Sequence, residues 1–96
     1  MAHYVVLASF TEQGIRTVKD TAKRARVFRD TAKAKGVTIR EIYWTLGCYD
    51  VVVTLDAPDD DTAAALMLKI GSLGNLKSQT LRAFSESEIE ALIAKV

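Results

Sequence analysis

YWTLGCYDVVVTLDAP, from Tyr43 to Pro58, contains two β-rich runs with only Gly47 and Cys48 between them. Val37 to Leu46 and Tyr49 to Asp56 are dominated by β-branched and aromatic residues, the composition of two adjacent strands. A glycine in the first of two loop positions supplies the positive φ that a type II′ turn requires. A two-residue loop then sets the register. Leu46 faces Tyr49, Trp44 faces Val51, Ile42 faces Val53 and Arg40 faces Leu55, all on one largely apolar side. The other side carries Thr45 beside Asp50, Tyr43 beside Val52, Glu41 beside Thr54 and Ile39 beside Asp56. A slip of one residue would set apolar side chains against polar ones along the ladder, so the pattern resists it.

Outward from this hairpin, His3 to Phe10 reads as a first strand, and Thr11 offers a hydroxyl to cap a following helix. Ile15, Val18, Ala22, Ala25, Phe28 and Ala32 form one stripe at helical spacing; Asp20 and Thr21 can cap a fresh start within it, and Gly36 stops it. After Pro58, three carboxylates at Asp59, Asp60 and Asp61 suit a helix N-terminus, where the backbone dipole favours negative charge. Ala64, Leu66, Met67, Ile70 and Leu73 continue as a helix ended by Gly71 and Gly74; Leu76 to Phe84 is the fourth strand. Glu86, Glu88, Ile89, Leu92, Ile93 and Val96 form a last amphipathic helix capped by Ser85 or Ser87. The order βαββαβ plus a helix predicts an α+β, ferredoxin-like fold: one domain over 1–96, with a four-stranded antiparallel sheet and both main helices on one face. For the first strand, Val5/Leu7 and Tyr4/Val6/Phe10 are both credible core sets.

The chain has 96 residues and a net charge of +1, which argues against a strongly basic nucleic-acid protein, although basic residues cluster between Arg16 and Lys35. These occupy the solvated positions of a helix, and the strands lack the aromatic pattern of an RNA-recognition sheet. One cysteine, Cys48, excludes an internal disulfide and any multi-cysteine metal site. No basic leader precedes the first strand and no segment has the roughly 20 apolar residues of a membrane span, so a cytoplasmic protein is expected.

These residues resemble the GYD-domain proteins, named for a Gly-x-Tyr-Asp signature that here is Gly47, Cys48, Tyr49 and Asp50. The likeness runs through FTEQGI at Phe10–Ile15, YWTLGCYD, DAPDD at Asp56–Asp60 and SLGNLKSQTLRAF at Ser72–Phe84, nearly the whole chain. It implies a ferredoxin-like fold of the dimeric α/β-barrel kind and no established activity. Cys48 occupies the variable position of the signature, and Thr21 and Ala22 stand where the family is expected to have a proline.

A sheet with helices on one face leaves the other open, and association between copies would cover it, so a homo-oligomer is expected. That face suggests a ligand site at Tyr43, Thr45, Asp50, Thr54 and Arg82, with Asp50 as base or hydrogen-bond acceptor. The plainer role for Asp50 is to satisfy backbone donors near the turn, or to pair with Arg82 between subunits. His3, the only histidine, makes a poor metal site with Asp50 or Glu41 and a poor catalytic pair with Cys48; no metal or cofactor is expected. The leading reading is a small-molecule-binding or sensory module. The alternatives are a cofactor-independent monooxygenase or isomerase, by analogy of fold alone, and a purely structural assembly protein.

Overall fold

The computed structural model describes residues 1–96. Its four strands, β1 (Ala2–Phe10), β2 (Thr38–Trp44), β3 (Val51–Ala57) and β4 (Leu76–Ala83), form one antiparallel sheet in the order β2-β3-β1-β4, the ferredoxin-like arrangement. Alternation settles the facing of β1. Tyr4, Val6 and Ala8 are buried, and their partners Leu55, Val53 and Val51 are buried with them. Val5 and Leu7 therefore point to the opposite side.

The helices cover the Tyr4/Val6/Ala8 side. A short helix, α1 (Glu12–Arg16), is capped by the Thr11 hydroxyl, which accepts from the Gly14 N–H; a single 3₁₀ turn, Val18–Asp20, then leads into α2 (Thr21–Ala34). Of the expected stripe, Phe28 and Ala32 are buried and Ala25 is half-buried, while Ile15, Val18 and Ala22 are exposed and drop out of it. Helix α3 (Asp60–Ser72) is capped by Asp59 and contributes Ala63, Leu66 and Ile70 to the core. Gly36 and Gly74 follow α2 and α3 at φ +76° and +84°, the left-handed stop a side chain would disfavour. Helix α4 (Glu86–Ile93) starts with a reciprocal Ser85/Glu88 cap and buries no residue.

The hairpin keeps the middle of its expected register and loses both ends. Trp44 faces Val51, Tyr43 faces Val52, Ile42 faces Val53 and Glu41 faces Thr54 as expected. The loop is longer than two residues: Thr45 N–H donates to the Asp50 carbonyl at 2.8 Å, and Leu46 is fully exposed instead of facing Tyr49. Asp50 bridges both neighbours, its carbonyl staying beside Thr45 as expected while its N–H donates to the Ala8 carbonyl of β1 at 2.9 Å. At the far end a bulge at Arg40 shifts the pairing, so Ile39 faces Leu55 and Thr38 faces Asp56, in place of Arg40 with Leu55 and Ile39 with Asp56. The bulge buries the apolar Ile39 and lets Arg40 reach Asp56.

Candidate functional site

The sheet face away from α2 and α3 has an apolar centre. Cross-strand pairing lines up Val5 with Leu81 and with Thr54, and Leu7 with Val52 and Gln79; Tyr43 and Glu41 lie alongside on β2. Tyr43 and Leu81 are 55% and 46% exposed. The Tyr43 hydroxyl donates to the Glu41 carboxylate, and that bond raises the phenol pKa above its ordinary value. The Thr54 hydroxyl is buried on this side with no partner in the chain.

The five residues chosen from sequence are not one cluster. Tyr43 and Thr54 lie on the open face. Thr45 donates its hydroxyl to the Tyr49 carbonyl at 2.6 Å, and Asp50 accepts from the Phe10 N–H at 2.9 Å, so both serve the loop and the end of β1. Arg82 pairs with Tyr4 and therefore belongs to the helix-covered side; its guanidinium carbon lies 5.5 Å from the Tyr4 ring centre and 4.5 Å from that of Phe84. Tyr4 and Phe10 are six residues apart on β1, about 20 Å in an extended strand, which separates Arg82 from Asp50 within one chain. Cys48 is in the exposed loop at the Ala8 end of β1, away from His3 at the other.

His3 instead joins a chain of polar side chains that crosses the sheet. Its Nδ1 lies 2.5 Å from Asp56 Oδ1 and its Nε2 3.3 Å from Glu88 Oε1, while Arg40 Nε donates to Asp56 Oδ2 at 2.6 Å. Burial pushes the Asp56 carboxyl up, but the bonds from His3 and Arg40 outweigh it and hold the pKa below the ordinary value. Glu88 is held low chiefly by the Ser85 N–H in the helix cap. Asp56 was legible only as the single acid in an otherwise apolar run; the bulge that brings Arg40 to it has no signal in the sequence. Tyr4, buried beneath α3, donates to Asp60; this bond and desolvation push its phenol up to about 12.

On the helix side, α2 and α3 part to leave an apolar chamber of about 140 Å³ with Phe28, Trp44, Val53, Met67 and Ile70 in its walls. Its polar lining is limited to Thr21, Arg24 and Asn75. Trp44 Nε1 donates to the Thr21 hydroxyl at 2.9 Å, which fixes the indole against the start of α2. Sequence reading missed this chamber. The available signal was one large indole on the same side as small residues at Ala8 and Ala25, which leave space beneath it.

The chain matches the GYD domain over residues 4–93. It belongs to the GYD-domain family. A relative from Thermus thermophilus, named glutamine synthetase and cystathionine beta-lyase binding protein, is 33% identical over 92 residues, which is 95% of this chain and 97% of the relative.

Three of the GYD sequence blocks meet at one end of the sheet. The signature Asp50 binds the backbone of Phe10, which opens FTEQGI. That block in turn clasps SLGN: Thr11 N–H donates to the Asn75 carbonyl at 3.1 Å, the Thr11 hydroxyl to the Gly74 carbonyl at 2.5 Å, and Gln13 Nε2 to the Leu73 carbonyl at 3.0 Å. A Cβ on Gly14 would lie 2.0 Å from the Asn75 carbonyl oxygen, so only glycine permits this approach. Gly47, at φ +130°, shapes the signature loop itself. The GYD signature thus builds the clasp beside the chamber and leaves the open sheet face free.

Proposed function

We propose that this GYD-domain protein is a protein-binding module that docks on a metabolic enzyme of the glutamine synthetase or cystathionine β-lyase kind through the open face of its sheet. The observation that carries this is the apolar centre at Val5, Leu7, Val52 and Leu81, flanked by Tyr43, on a face to which α2 and α3 contribute nothing. Aromatic and aliphatic side chains at the middle of a flat patch with a polar margin suit a protein partner. The name of the Thermus relative supports an enzyme as the occupant. A cytoplasmic setting goes with this reading.

Biolayer interferometry with purified glutamine synthetase and cystathionine β-lyase tests it. At least one enzyme binds the wild type, Leu7→Glu weakens that binding by about a hundredfold or more, and Leu68→Glu, on the exposed side of α3, leaves it unchanged. Binding of neither enzyme, or equal binding by a folded Leu7→Glu variant, would overturn the proposal.

A second reading keeps the homo-oligomer, with another copy on the same face. It is favoured by α4, whose Ile89 and Ile93 are exposed beside the His3 end of the sheet and also call for cover. A dimer in sedimentation velocity that Leu7→Glu dissociates would make a second copy the occupant.

A further inference from the structure

We propose that the chamber between sheet and helices is a binding site for a small carboxylic acid with an aromatic or short aliphatic body, the carboxylate held at Arg24. This surface lies on the opposite side of the sheet from the protein-binding face, so the inference stands apart from that reading. Two observations carry it. The chamber is close in volume to an engineered apolar cavity of about 150 Å³ that stays dry and takes up benzene. A body of roughly one ring therefore fills it, and walls of aliphatic and aromatic side chains give such a body better contacts than water would find.

The second observation is the state of Arg24 at the rim. Its guanidinium is fixed by three bonds to neutral acceptors: Nη1 to the Thr17 carbonyl at 3.1 Å and to the Thr17 hydroxyl at 2.8 Å, and Nη2 to the Gly14 carbonyl at 3.2 Å. Five N–H donors on the group leave two free, at Nε and Nη2. Glu12, Asp56 and Glu88 take up Arg16, Arg40 and Arg82, whereas no carboxylate forms an ion pair with Arg24, Arg26 or Arg29, and of these three only Arg24 lines the chamber. Arg24, Val27 and Asn75 also line a shallow polar hollow outside the chamber, shared with Lys23 and Asp20. A ligand with its apolar body inside and its anionic end in this hollow meets a guanidinium already held in position, which reduces the ordering cost of binding.

Trp44 is the only tryptophan and forms part of the chamber wall, so its emission reports occupancy. Phenylacetate and hexanoate are the probes, with toluene as the uncharged control. Saturable change in Trp44 emission is expected with both acids, lost in Ala25→Leu, which fills the chamber, and weakened by about tenfold or more in Arg24→Gln. Circular dichroism establishes that each variant is folded, and ligand-observed NMR on the wild type provides a readout independent of Trp44. Absence of saturable binding by either acid in both measurements would overturn the site. Toluene binding as tightly as phenylacetate, or unchanged acid binding in a folded Arg24→Gln, would overturn the assignment of the ligand class.

Discussion

Gly14 is held within α1 by contact with the backbone at Asn75, and the distances decide the sign of a substitution there. Glycine to alanine inside a helix ordinarily stabilises by about 0.5–1 kcal/mol. Here the new Cβ would lie 2.0 Å from a carbonyl oxygen that cannot swing away, so Gly14→Ala is expected to destabilise by about 1–3 kcal/mol and lower the melting temperature by several degrees in a thermal scan. Asp50 behaves as a structural acceptor in the same clasp. Asp50→Ala leaves the Phe10 N–H unpaired and should cost about 1–3 kcal/mol in urea denaturation, whereas Asp50→Asn keeps an acceptor oxygen and should recover most of it. The sequence placed Asp50 near backbone donors as its plainer role. It could not identify Phe10 as the donor, because that contact joins residues 40 positions apart.

Strands and helices were legible where local chemistry dictates them. Thr11, Asp59 and Ser85 were readable as caps and Gly36 and Gly74 as stops, because each acts within a few residues of itself. The facing of β1 was not, since both of its faces are apolar and only pairing with β3 distinguishes them. The bulge at Arg40 was equally hidden: its benefit is tertiary, the burial of Ile39 and the Arg40–Asp56 ion pair. Asp56 ties β1, β2 and β3 together, and its depressed pKa gives the fold a pH dependence of known sign. A carboxyl whose pKa is lower in the folded than in the unfolded state contributes fully above its ordinary value of 3.8, and that contribution is lost as pH falls through the depressed folded value. The stability difference between wild type and Asp56→Asn should therefore shrink on acidification below pH 3.8 in a urea series. Near neutrality it should be about 1–2 kcal/mol and not the 3–5 kcal/mol of a wholly buried pair, because the His3 and Arg40 side chains are 39% and 62% exposed.

At the scale of the whole molecule, the sheet divides two kinds of surface. One side holds the core and a small apolar chamber; the other presents an apolar patch bounded by Tyr43, Glu41 and the polar group of His3, Asp56 and Arg40. Of the residues read from the hairpin, Tyr43 and Thr54 lie on the open face. Arg82 does not, because the pairing of β4 with β1 sends it to the other side, and no local pattern in β4 encodes that. The central claim, that the open face is where a partner protein binds, is tested most directly by hydroxyl-radical footprinting of the complex with the bound enzyme, read by mass spectrometry at single side chains. Tyr43 and Leu81, both exposed in the free chain, should lose reactivity on binding while Leu68 on α3 keeps it. Protection at Leu68 with Tyr43 and Leu81 unchanged would place the partner on the helix side and contradict the account.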